Sequence, residues 1–174
     1  MKTTGIVRRI DELGRVVIPK ELRRTMHLKE GEEMEVFVSP DNSLVLKKYS
    51  AIKELSEFGQ EYADIVYQIT NTNCIICDLD NFVACSIDKN VYLNNRISKA
   101  LENFLTGRKA AYLRGEAVIN LLSDDVKKYK DLSISPILLG GDVLGGIIMA
   151  SVAGFGEVGL KLVEIASGFI SKQI

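Results

Sequence analysis

Residues 4–24 read TGIVRRIDELGRVVIPKELRR, and no other stretch limits the fold of this chain so strongly. Five arginines (Arg8, Arg9, Arg15, Arg23 and Arg24) and Lys20 are threaded through short apolar runs. Ile6, Val7 and Ile10 make one β-like run, and Val16, Val17 and Ile18 make another. Asp11 to Gly14 lies between them as a turn, with Gly14 able to take a positive φ at little cost. Pro19 ends the second run, because it has no N–H for a ladder and its fixed φ suits the first turn of a helix. Good helix formers follow from Lys20 to Met26. The expected local order is strand, turn, strand, short helix.

Taken singly, each arginine reads as solvated surface. Together they imply more. Met1–Lys29 holds eight basic residues against three acidic ones, an excess of five, while the whole 174-residue chain carries a formal charge of −1. The remainder is therefore at −6, and such a split points to an anionic partner for one end only. Arginine outnumbers lysine there, and its planar fork suits phosphate and the guanine edge better than an ammonium does.

Downstream, Met34–Val38 alternates polar and apolar, Pro40 to Ser43 is turn-like, and Leu44–Leu46 returns, followed by Lys47 and Lys48. Glu30, Glu32, Glu33 and Glu35 make this hairpin acidic, so it is expected to face away from nucleic acid. Four short strands and one helical turn in about fifty residues bury little surface. Without a disulfide or metal to staple it, such a unit is expected to be an obligate dimer. It is not a helix-turn-helix, since only one short helix lies near the arginines.

The stretch TGIVRRIDELGRVVIPKELRR followed by HLKEGEEMEVFV resembles the swapped-hairpin DNA-binding domain of AbrB-type transition-state regulators. That resemblance implies an α+β protein whose first domain is an intertwined, swapped-hairpin dimer forming a small β-barrel. It further implies that Arg8, Arg15, Arg23 and Arg24 face double-stranded DNA, with Lys2 and Arg9 nearby, mostly on phosphates and in part on base edges. Eight such contacts per dimer give a salt slope of roughly −7 on a log–log plot. AbrB-type domains read DNA shape as well as sequence, so deformability is expected to matter. Arg15, just after Gly14, is the best single candidate for a groove. Asp11 has two readings, a turn former or an orienting partner for an arginine.

Residues 50–73 follow a helical period through Ile52, Leu55, Phe58, Tyr62, Ile65, Val66 and Ile69. This helix either packs on the following domain alone or also meets its symmetry mate. Beyond it the pattern is mixed α/β. Cys74–Cys77 and Phe82–Ser86 read as strands around Asp78–Asn81, and Asn94–Thr106 as an amphipathic helix. Ala117–Leu121 reads as a strand, and Ile134–Leu139 with Val143–Ser151 as a hairpin. Glu157–Lys172 reads as a closing helix with Val158, Leu162, Ile165, Ala166, Phe169 and Ile170 inward. That order, with PILLGGDVLGGIIMAS, resembles a GAF domain. The expected domains are 1–50 for DNA, 51–73 as linker and first helix, and 74–174 as a GAF-like unit pairing dimers into a tetramer. Ser86–Asn95 and Arg108–Glu116 are candidate mouths for a small-molecule ligand; the alternative is a filled core and pure assembly.

An apolar fraction of 47% is ample for a core. The most apolar late stretch, 134–152, is broken by Gly140-Gly141-Asp142 and Gly145-Gly146, which suits a hairpin and not a membrane span. No apolar core follows a basic start, so a cytoplasmic protein without a secretory signal is expected. Cys74-x-x-Cys77 admits a zinc or redox reading, but a strand sends those positions to opposite faces, and ordinary core cysteines are expected. His27, the only histidine, reads as a helix-end residue. No nucleophile–base set, metal-ligand spacing or phosphate-binding glycine loop is present, so no enzyme, metal or cofactor is expected. The resemblance implies a sequence-specific transcription regulator that activates some late sporulation genes in the forespore and represses others. An antitoxin-like interaction module is the alternative, and a metabolite enzyme with an incidental basic face is a third reading.

Overall fold

The computed structural model describes residues 5–123 and 129–174, apart from the side chains of Lys53 and Glu54. It divides into two compact units between Tyr49 and Ser50. In the first, helix α1 (Lys20–Thr25) precedes strands β1 (Met34–Val38) and β2 (Leu44–Lys48), which pair antiparallel with Val36 opposite Leu46. The alternation in the sequence sets this register, and Asp41 Oδ1 accepts from the Ser43 N–H at 3.2 Å to hold the turn. Lys47 stacks over the Phe37 ring at 4.8 Å, and Lys48 pairs with Glu32 at 2.6 Å.

The two β-like runs expected at 6–10 and 16–18 are not strands in this chain. The physical reason is that a strand exists by its neighbour. Their turn is closed by Asp11 N–H on the Arg15 carbonyl (3.1 Å), but neither arm is assigned to a strand ladder among the described residues.

The second unit opens with α2 (Ala51–Glu54) and α3 (Ser56–Thr70), so the single expected helix breaks at Leu55. Asn71 closes α3 in the left-handed conformation. Strands β3 (Asn73–Asp78) and β4 (Phe82–Cys85) follow, with Asp78 Oδ1 accepting from Asp80 and Asn81 N–H at 2.7 Å each to shape their turn. Next come α4 (Lys89–Tyr92), α5 (Lys99–Thr106), β5 (Ala111–Arg114), β6 (Asp131–Leu139), β7 (Asp142–Ser151) and α6 (Val158–Ile170). The five strands form one antiparallel sheet in the order β4-β3-β7-β6-β5.

Several boundaries differ from the sequence reading. Helix α5 starts at Lys99, not Asn94, because Ser98 Oγ accepts from Leu101 N–H (3.0 Å) and caps it there, while Asn94 N–H is taken by the Phe82 carbonyl. The expected strand at 117–121 is irregular chain after a short 3₁₀ turn; its apolar residues Val118 and Leu121 are buried in the core instead. The candidate mouth 108–116 contains edge strand β5, and the candidate mouth 86–95 contains α4 with Tyr92 buried.

Each face of the sheet has its own core. Helices α4 and α5 cover one, where Ile75, Phe82, Leu101, Leu105, Ile134 and Ile148 meet; Tyr92 crosses Phe82 edge-on at 5.2 Å. Helices α2, α3 and α6 cover the other, with Ile76, Ile147 and Met149 against Ala63, Val163 and Ala166. Asp131 is buried and accepts from Tyr112 Oη (2.6 Å) and Phe155 N–H (3.2 Å), which ties the chain after β7 to the sheet edge.

The cysteines settle as core residues. Cys74 lies in the core under α3 and α6, and Cys77 in the one under α4 and α5, as strand alternation requires. Burial pushes the Cys74 thiol up to about 12, Cys85 up to about 11, and Cys77 upward as well. A thiol reagent at pH 8 is therefore expected to leave all three unmodified in the native chain and to label all three once denaturant is added. Rapid labelling of the native chain would contradict this placement. Gly145 leaves no room for a side chain: an added Cβ would land on the Cys77 carbonyl oxygen and lie 2.7 Å from Ile52 Cδ1. Gly145→Ala is expected to destabilise the second unit by about 2–3 kcal/mol, seen as a fall of roughly 10 °C in its thermal midpoint.

Candidate nucleic-acid interface

The turn between the two arms is built by one carboxylate. Asp11 Oδ1 accepts from Leu13 N–H at 3.0 Å and Arg15 N–H at 2.8 Å, while Oδ2 accepts from Arg15 Nε at 2.7 Å. Gly14 completes the turn at φ +75°, with its N–H on the Asp11 carbonyl at 2.9 Å. Both readings of Asp11 therefore hold at once: it forms the turn, and it orients an arginine. The backbone and side-chain hydrogen bonds from Arg15 hold the Asp11 carboxyl below the ordinary carboxylate range.

Helix α1 carries the second pair of candidates. Pro19 is its N-cap, and Arg23 N–H reaches back to the Pro19 carbonyl at 3.0 Å. At the other end Leu28 N–H bonds Arg23 C=O (2.8 Å) and His27 N–H bonds Arg24 C=O (3.3 Å), the pairing of a Schellman ending. His27 supplies the left-handed residue at φ 54°, so it terminates the helix through its backbone. Arg23 and Arg24 sit in the last turn, where cations complement the carbonyl end of the helix.

Arg8, Arg9, Arg15, Arg23 and Arg24 are all exposed; Lys2 lies outside the described residues. Among the described residues, Arg15 alone of these five has a carboxylate partner. Arg8 Nη1 donates to the Val7 carbonyl at 3.4 Å.

The arms and α1 surround an open apolar cleft of about 320 Å³, lined by Ile6, Val17, Pro19, Leu22, Met26 and Leu46 among others. Leu22 and Met26 are one helical turn apart and share that side, which leaves Arg23 and Arg24 off it. Arg8 borders the cleft with Ile6, two residues before it on the same side of an extended arm. Arg9, Arg15, Arg23 and Arg24 stand outside the lining. Much of the apolar surface beyond the cleft is in water: Val7 is 86% exposed, Val38 71% and Leu44 70%. Of the described residues before Ser50, only Pro19 is buried. Sequence reasoning missed this cleft. Its signal was there, in a region too short to cover so many valines, isoleucines and leucines by itself.

A family model described as "Stage V sporulation protein T C-terminal, transcription factor" matches residues 54–174. A second, "Antidote-toxin recognition MazE, bacterial antitoxin", matches residues 7–54. Stage V sporulation protein T of Bacillus subtilis (strain 168) is 43% identical over 180 residues, covering 100% of this chain and 99% of its own. The transition state regulatory protein AbrB of the same organism is 59% identical over 49 residues, 28% of this chain and 50% of its own. In fold, the chain resembles the cofactor-binding GAF domain of the nutrient sensor CodY from Clostridium difficile, with 11% identity, a TM-score of 0.52, and coverage of 88% of this chain and 93% of that one. An AbrB-type first unit and a GAF-like second unit, matched end to end by one relative, place this chain in the stage V sporulation protein T family.

Proposed function

We propose that this chain is a sequence-specific, DNA-binding transcription regulator that works as a dimer of dimers and catalyses no reaction. The observation that carries the reading is the first unit itself, where exposed arginines stand beside an apolar surface that one chain leaves uncovered. Two chains exchanging their hairpins would bury that surface and give the arms at 6–10 and 16–18 strand partners. They would also double Arg8, Arg9, Arg15, Arg23 and Arg24 about a two-fold axis into a platform wide enough for a duplex. Lys2 belongs to the same set by resemblance. The regulator would activate some late sporulation genes in the forespore and repress others, from the cytoplasm.

The second unit serves assembly. An apolar stripe on the outer sides of α3 and α6, flanked by Glu61, Gln68, Lys161 and Glu164, is uncovered: Ile69 is 79% exposed and Ile165 70%, and Phe58 meets Phe169 at 5.7 Å between the two helices. Val158, Ile165 and Phe169 were expected to point inward; the buried side of α6 is instead Gly159, Val163, Ala166, Ser167 and Ile170. A helix that is apolar on both sides has a second partner to find. Sensing a small molecule is the further part of this proposal, by analogy with the CodY domain. A ligand under α4 and α5 would have to displace Tyr92, Phe82 and Leu105, which pack that space now.

The antitoxin-like reading is favoured by the match at residues 7–54. It predicts a second half that orders only on a toxin. The described sheet and its two cores count against that, and a protease-resistant second unit in the free chain would exclude it.

Duplex binding of the intact chain, followed by anisotropy across a salt series, tests the main reading. Wild type is expected to give a log–log slope of roughly −5 to −7 for a bound dimer, six to eight phosphate contacts, and Arg23→Ala a slope shallower by about two, one lost phosphate contact per protomer. Weak, salt-insensitive binding by wild type would contradict it. For assembly, Ile69→Asp with Ile165→Asp is expected to halve the mass in sedimentation while leaving the fold and the dimer intact. An unchanged mass would rule out this face.

A further inference from the structure

We infer that Asp11 is a positioning residue for DNA recognition: its carboxylate sets Arg15 to read a base edge and keeps it from acting as one more phosphate clamp. The inference rests on the DNA-binding reading above and names a specificity determinant within it.

The two oxygens of Asp11 do different work. Oδ1 takes the backbone N–H groups of Leu13 and Arg15, which is all that the turn requires. Asparagine offers the same oxygen, and Asx turns are made by either residue. Oδ2 acts on the Arg15 side chain alone, at Nε and 2.7 Å. With Nε occupied, Arg15 keeps the N–H donors of Nη1 and Nη2, on a side chain that is 70% exposed at the tip of a turn fixed by Gly14. Two parallel terminal donors match O6 and N7 of guanine.

A phosphate clamp would be built otherwise. The carboxylate carries the same charge as a phosphate and largely cancels the guanidinium beside it, so the pair contributes little to non-specific electrostatic attraction. Arg9, Arg23 and Arg24 have no carboxylate partner among the described residues and suit phosphate contacts. Arg15 differs from them by one neighbour, and that neighbour trades general affinity for orientation.

The test begins with duplexes selected in vitro from a random library by the intact wild-type chain. Affinities for a selected duplex and for sheared genomic DNA are then measured for wild type, Asp11→Asn, Arg15→Lys and the double variant. Asp11→Asn is expected to bind sheared DNA more tightly, with a steeper salt slope, as the freed Arg15 finds a phosphate. Its preference for the selected duplex should fall by roughly fivefold or more, the discrimination of one good bidentate pair. Arg15→Lys should lose the same preference, and the double variant no more than either, because both act through one fork. Equal losses on both DNAs in Asp11→Asn would make Asp11 a turn residue only and overturn the inference. So would unchanged preference, additive losses, or failure of Asp11→Asn to fold, since the turn should tolerate an amide. If wild type selects no duplex at all, the DNA-binding reading itself falls, and this inference with it.

Discussion

Uncovered apolar surface is the constraint on which the rest of this molecule depends. Burying one valine or leucine side chain is worth about 1.5–3 kcal/mol, and a whole domain is stable by only about 5–15 kcal/mol. A unit that buries Pro19 and leaves Val7, Val17, Val38 and Leu44 in water forgoes an amount of the same order as that whole margin. Under our proposal a second chain supplies what is missing, and the function follows from the same act. The arms that gain strand neighbours are the arms that carry Arg8, Arg9 and Arg15, so forming the core and forming the basic platform become one event.

The second unit obeys the same logic at a different scale. Its sheet has a complete core on each face, so it needs no partner to fold. What it leaves exposed is a stripe on the far side of α3 and α6. Such a stripe fits assembly between already folded units, which is how a dimer of dimers would hold two DNA-binding heads together and raise their effective concentration on neighbouring sites.

Much of the fold was legible, for identifiable reasons. The hairpin at 34–48 and the β6–β7 hairpin each show short apolar, β-prone runs on either side of turn residues at the right spacing, so local pattern sufficed. The cysteines were read correctly from the period of a strand. Local pattern failed where the deciding partner is distant or absent. Residues 6–10 and 16–18 have strand-like sequence but form no strand among the described residues. Helix α5 begins at Ser98 because one hydroxyl caps it, although the apolar period starts earlier. Residues 117–121 look like a strand, yet they insert Val118 and Leu121 into the core from irregular chain. For α6, periodicity could not say which of two apolar sides faces inward. In the candidate interface, the arginines were visible at once, whereas the apolar cleft between them and the division of labour within Asp11 needed coordinates.

The central claim is that apolar side chains of the first unit are covered by a second copy of the chain. Isotope-filtered nuclear Overhauser spectra on intact protein reassembled from labelled and unlabelled chains test it most directly. The account predicts contacts between chains from the methyls of Ile6 and Val17 to those of Val36 and Leu44. Contacts confined to single chains, in a species that sediments as a folded monomer, would contradict it.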